Sequence, residues 1–110
     1  MTLMVDGGAM ELIYTVCRDL EEASRIGRRL VEERLAACVN IFPIHSFYWW
    51  EGEVIADQEA VLLVKTRQGN FDTVSDRIAS MHSYSVPAIF SLPVERVRQS
   101  YLQWLLTETR

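Results

Sequence analysis

The chain has 110 residues, a formal net charge of -4 and a pI of about 5.1. That length argues for one domain, and the acidic balance argues against an electrostatic footprint for nucleic acid or an anionic membrane. At 49% apolar residues the chain can bury a core without staples, which excludes disorder.

No apolar run approaches the ~20 residues needed to span a bilayer. Residues 1–9 lack the basic start and long apolar segment of a signal peptide, so they are expected to form a disordered leader to a single domain over 10–110. The expected location is the cytoplasm. Cys17 and Cys38, without a secretory signal, do not make a disulfide framework.

Glu11 to Cys17 reads as a strand, rich in β-branched and aromatic residues. Asp19 follows as an N-cap, with Glu21 and Glu22 in the first turn, where the helix dipole favours acids. Ala23, Ile26, Gly27, Leu30, Val31 and Arg34 then space out an amphipathic helix. Its apolar stripe is narrow and fits one side of a sheet, and Gly27 on that stripe permits close approach. Ala36 to Trp50 and Val54 to Arg67 read as two long strands joined by a tight Glu51-Gly52 turn. Pro43 cannot donate to a ladder, so an edge or a bulge is expected there.

Gln68-Gly69-Asn70 breaks the chain. Asn70 or Asp72 caps a second helix carrying Phe71, Val74, Ile78 and Met81 on one face. Ala88 to Val94 is a fourth strand, interrupted by Pro93, and Arg98 to Thr107 a terminal helix. The first six elements of this β-α-β-β-α-β-α order match the split βαβ, ferredoxin-like α+β arrangement, with helices on one face of an antiparallel sheet and the other face open. The topology puts the third strand between the first two, so Cys17 and Cys38 lie at opposite ends and an intrachain disulfide is not expected.

The long hairpin is apolar on both alternating faces. Ile41, Pro43, Phe47 and Trp49 share one parity; Phe42, Ile44, Tyr48 and Trp50 share the other. A strand of about fifteen residues reaches on the order of 50 Å, whereas a compact chain of this length has a radius of gyration of only ~13 Å. The ribbon must bend, bulge or project. A projecting aromatic ribbon reads as an interface with other copies of the chain, anchored by Tyr48, Trp49 and Trp50. The alternative is a strongly bulged strand packed within the monomer.

The runs Arg34-Leu35-Ala36-Ala37-Cys38-Val39-Asn40, Ser46-Phe47-Tyr48-Trp49-Trp50-Glu51-Gly52, Lys65-Thr66, His82-Ser83-Tyr84, Val86-Pro87 and Tyr101-Leu102-Gln103-Trp104-Leu105 resemble the CutA family of divalent-cation tolerance proteins, in order and from Met10 onward. The resemblance implies a ferredoxin-like subunit and a tight homotrimer formed through the long strands, similar to the PII signalling proteins. It also implies a link to copper tolerance and copper binding. Many members read His-His-Pro-Tyr-Glu where this chain has Met81-His82-Ser83-Tyr84-Ser85, and Pro-Gly where it has Pro43-Ile44. The ligands proposed in copper-assigned members resemble a first-strand Cys and the His pair. Aligned without gaps back from Cys38, these fall on Thr15 and on Met81-His82, so only His82 is kept. Cys17, two residues from Thr15, points to the same face of a regular strand.

The expected metal set is therefore His82, Cys17 and Met81, a soft combination suited to copper. The competing reading of His82 is a helix-end histidine near the last carbonyls. His45 is a weaker ligand candidate. Cys17 with His82 suggests a nucleophile and base, but no oxyanion hole or orienting group accompanies them, and no enzyme is expected. Lys65, Thr66 and Tyr84 are candidates to line a cleft for a small anion; no phosphate-cradling glycine motif is present. The expected function is a non-enzymatic, homotrimeric copper-tolerance protein. The alternatives are a PII-like trimer binding a small anion between subunits, and a pure assembly module.

Overall fold

The computed structural model describes residues 3–110. β1 (Met4–Asp6) is followed by β2 (Met10–Cys17), α1 (Leu20–Glu32), β3 (Cys38–Trp50), β4 (Glu53–Arg67), α2 (Phe71–Met81), β5 (Ile89–Pro93), β6 (Arg96–Arg98) and α3 (Gln99–Glu108). The main antiparallel sheet has the order β3-β4-β2-β5, and β1 pairs with β6 in a small separate sheet. The order of the four long strands and two intervening helices is the ferredoxin-like one.

The expected leader needs correction. Residues 1 and 2 lie outside the described residues, but Met4–Asp6 pairs in register with Arg96–Arg98. Three residues carry too little periodicity to announce a strand; only the partner at the far end of the chain makes one.

Local sequence explains the main elements. The Asp19 carboxylate caps α1, accepting from the Glu22 N–H at 2.8 Å. A Cβ on Gly27 would meet Leu62 Cδ1 at 2.9 Å and Val39 Cγ2 at 3.0 Å, so the close helix–sheet approach needs glycine there. Glu51 (φ 50°) and Gly52 (φ 82°) both adopt the left-handed conformation that a two-residue hairpin turn requires. Asn70 is the N-cap of α2 but makes no side-chain capping bond; its amide instead donates to Thr66 Oγ1 and to the Arg110 carbonyl.

Strand alternation divides the sheet into two faces. On one, Ile13, Cys17, Ala60, Leu62 and Val64 pack with Ala23, Ile26 and Leu30 of α1 and Val74 and Ile78 of α2. On the other, α3 covers only one end, where Leu105 and Tyr101 meet Met10, Leu12 and Val97. The terminal helix therefore partly covers the face that was expected to stay open. Farther along that face Phe42, Phe90 and Leu92 remain exposed.

The pairing of β3 with β4 runs without a register shift from Cys38↔Lys65 to Trp50↔Glu53. Pro43 thus sits on an edge strand with no bulge. β2 accompanies β4 only from Ala60 to Arg67, so from Glu59 outward the hairpin is a two-stranded ribbon. It projects: the molecule measures 52 × 25 × 21 Å with a radius of gyration of 15.0 Å, against about 13 Å for a compact chain of this size.

Candidate functional site

Two of the three expected metal ligands converge. Cys17 ends β2, His82 follows α2, and their ligand atoms lie with a Glu22 carboxylate oxygen all within 4.8 Å of one another. All three side chains are buried: Cys17 is inaccessible, Glu22 is 1% exposed, and the His82 side chain is shielded completely. Met81 instead packs against the main core, and its carbonyl accepts from Arg25. Glu22 had been read only as a first-turn acid suited to the helix dipole. Its signal was the capping geometry: Asp19 turns the chain so that the residue three further on points back over the strand end.

The hydrogen bonds fix the tautomer of His82. The Tyr84 backbone N–H donates to Nδ1 at 3.0 Å, so Nδ1 carries the lone pair. Nε2 then donates to the Val16 carbonyl at 2.8 Å. The 3.8 Å approach of Nδ1 to Glu22 Oε1 is consequently not an ion pair in this tautomer. His82 is the C-cap of α2, with its backbone N–H on the Ala79 carbonyl, as the helix-end reading has it, but its ring bonds to β2 rather than to the last carbonyls of α2.

Glu22 is a hub. Its Oε1 accepts from the Arg18 N–H at 2.9 Å and its Oε2 from the Ser83 N–H at 3.1 Å. Burial alone would raise its pKa, but the Arg18 N–H and Ser83 outweigh that and hold the carboxyl below its ordinary range. The reverse holds for Cys17. Burial first, and then the neighbouring Glu22 charge, push its thiol up to about 12.

This set fits a soft or borderline metal by its chemistry. A ligating histidine commonly donates its other N–H to a backbone carbonyl, as Nε2 does to Val16, which leaves Nδ1 as the ligand atom. Binding would have to displace the thiol proton of Cys17 and take Nδ1 from the Tyr84 N–H. Thr15, where the family cysteine position falls, is fully buried on the same face and its hydroxyl finds no partner among the described residues.

Lys65, Thr66 and Tyr84 do not come together within one subunit. The Thr66 hydroxyl is buried and donates to the Leu35 carbonyl at 2.7 Å. Lys65 Nζ lies 5.8 Å from the centre of the Tyr101 ring. Tyr84 follows α2, and its hydroxyl donates at 2.6 Å to Glu59, six residues from Lys65 on β4 and so about 20 Å along the strand. Strand spacing could not show that Tyr84 reaches Glu59 in the middle of β4.

Tyr48, Trp49 and Trp50 occupy the outer ribbon. Trp49 is 74% exposed and Phe47 78%, on the face shared with the helices; Trp50, on the opposite face, is also exposed. The Tyr48 hydroxyl donates to Asp57 at 3.1 Å. His45 is exposed on the same ribbon. Between ribbon and the 83–88 connection lies a cleft of about 730 Å³ that contains Tyr48, Trp50, Glu59 and Tyr84. Cys17 and Cys38 are both free thiols at opposite ends of the sheet, Cys17 opposite Ala60 and Cys38 opposite Lys65. Among the described residues no helix is long and apolar enough to cross a membrane.

Comparison with known proteins bears on this geometry. A family profile described as CutA1 divalent ion tolerance protein matches residues 11–108. The divalent-cation tolerance protein CutA of Archaeoglobus fulgidus is 50% identical over 93 residues, covering 84% of this chain and 91% of that protein. A solved structure of the A. fulgidus protein, described there as periplasmic, superposes with a TM-score of 0.90 at 46% identity over 92% of this chain and 99% of that one. The structure of CutA from Synechococcus elongatus PCC7942 gives a TM-score of 0.94 at 28% identity, covering 98% of this chain and 96% of that one.

Proposed function

The chain belongs to the CutA1 family of divalent ion tolerance proteins, and on that footing we propose that it serves divalent-cation tolerance as a non-enzymatic, cytoplasmic homotrimer that binds copper at Cys17, Glu22 and His82. The observation that carries the metal reading is the convergence of three buried ligand atoms within 4.8 Å. Thiolate and imidazole suit Cu(I), and the carboxylate adds a charge that offsets the cation's.

Assembly is supported by the ribbon. A two-stranded hairpin is marginal alone in water, and this one exposes large aromatics on both faces. Further copies of the chain cover them, with Tyr48, Trp49 and Trp50 as anchors. The non-enzymatic reading is supported by the chemistry around Cys17. Its thiol is held protonated, both nitrogens of the neighbouring His82 are engaged by backbone groups, and the Glu22 carboxylate is engaged by the Arg18 and Ser83 N–H groups. Two unpaired thiols favour a reducing compartment. No described group favours the anion-binding alternative within one subunit, because Lys65 and Thr66 lie far from Tyr84.

Titration of reduced protein with Cu(I), Cu(II) and Zn(II), in competition with a chelator of known affinity, tests the metal reading. Stoichiometric Cu(I) binding per subunit that is lost in His82→Ala and in Cys17→Ser is expected. Because the metal must displace a proton from a thiol with a pKa of about 12, apparent affinity should rise about tenfold per pH unit near neutrality. Binding indifferent to both substitutions would overturn the site.

A further inference from the structure

We propose that the cleft between the β3–β4 ribbon and the 83–88 connection binds a small organic cation, an alkylammonium group, against Glu59 and the surrounding aromatic rings. At about 730 Å³ the cleft is within the usual size of small-molecule sites. Aromatic residues line part of it, with Tyr48, Trp50 and Tyr84 among them, and Glu59 is its one charged residue.

Glu59 is unusual in its setting. It is only 7% exposed, yet its side-chain partner is the neutral Tyr84 hydroxyl, at 2.6 Å from Oε2. Among the described residues no Lys, Arg or His forms an ion pair with its carboxylate. Two residues along the same face, outside the lining of the cleft, Asp57 accepts from the Tyr48 hydroxyl. A buried carboxylate without a counter-charge is costly unless a cation arrives.

The lining selects the kind of cation. An anion meets a carboxylate and the negative faces of aromatic rings. A neutral apolar ligand would desolvate Glu59 and give nothing back. A hard divalent ion wants six or more oxygen ligands, and the cleft offers one carboxylate among rings. A methylated or protonated amine is attracted by the rings through cation–π contact and by Glu59 through charge, while its alkyl groups fill apolar space. Because Tyr48, Trp49 and Trp50 are also assigned to the subunit contact, the inference rests on that reading in one respect: a neighbouring copy must roof the cleft without filling it.

The test uses the assembled wild-type chain. Choline is titrated by tryptophan fluorescence and calorimetry, beside its uncharged isostere 3,3-dimethylbutan-1-ol and beside inorganic phosphate. Saturable choline binding at least about tenfold tighter than the isostere, with none for phosphate, is expected. Glu59→Gln should weaken choline by about tenfold or more while sedimentation is unchanged. Equal binding of choline and its isostere, no saturable binding by the intact oligomer at millimolar choline, or full retention in Glu59→Gln would overturn the proposal. The isostere comparison needs no variant, so it decides the matter even where Glu59→Gln misfolds. A wild type that sediments as a monomer yet binds choline would refute the assembly and keep this inference. An intact oligomer that ignores choline would refute this inference alone.

Discussion

The end of β2 and the outer ribbon differ in where their interactions are completed. At the end of β2, Glu22 and His82 satisfy their polar atoms from backbone groups of the same chain: Arg18, Ser83, Tyr84 and Val16. On the ribbon, Phe47 and Trp49 stay about three-quarters exposed, and Glu59 has a phenol where a cation would fit. In the first region the hydrogen bonds are made within the chain, before any metal enters. The second leaves large aromatic side chains in solvent, and in the proposed assembly further copies of the chain cover them.

The sharpest way to break the first region is Glu22→Ala. It leaves the Arg18 and Ser83 N–H groups without their acceptor at part-buried positions, and the expected loss is about 3 kcal/mol by denaturant unfolding. Glu22→Gln keeps the shape and an acceptor oxygen and should lose only about 1–2 kcal/mol. On the ribbon, Trp49→Ala and Trp50→Ala should each weaken association by roughly 2–3 kcal/mol, measured as a shift in the dissociation concentration. A ribbon that packed against its own chain would give no such shift.

The pH dependence separates the two buried groups of the clasp. Glu22 has a lowered pKa in the folded state, so the stability it lends is full above its ordinary 4.5 and is lost as pH falls through the lower folded value. The Cys17 thiol has a raised one, so its contribution is full below 9.0 and is lost as pH rises toward about 12. The acid slope of the unfolding midpoint should therefore be shallower in Glu22→Gln, with Asp19 and Glu33 supplying what remains, and the alkaline slope shallower in Cys17→Ala, with Tyr84 supplying what remains. The smallest expected effect is Gly27→Ala. Its methyl would press on Leu62 and Val39, and the strain less the gain in helix propensity leaves a net loss of about 1 kcal/mol by thermal unfolding.

Sequence patterning revealed the features that act locally. Asp19 as a cap, Glu51-Gly52 as a turn and Gly27 as a contact point each follow from their own neighbourhood. The two-faced ribbon was visible because its apolar residues fail to alternate. What stayed hidden depends on pairs distant in sequence. Met4–Asp6 becomes a strand only through Arg96–Arg98. Glu22 becomes a hub only because Ser83 arrives beside it from 61 residues away. Tyr84 lies in sequence near His82 and was grouped with Lys65 and Thr66, yet its hydroxyl reaches Glu59 in the middle of β4.

The most direct measurement is the solution mass of the reduced wild-type chain by sedimentation equilibrium across micromolar dilution. The proposed homotrimer predicts a single species of three times 12.7 kDa that resists dilution. A stable 12.7 kDa monomer, with its ribbon tryptophans in water, would contradict the account.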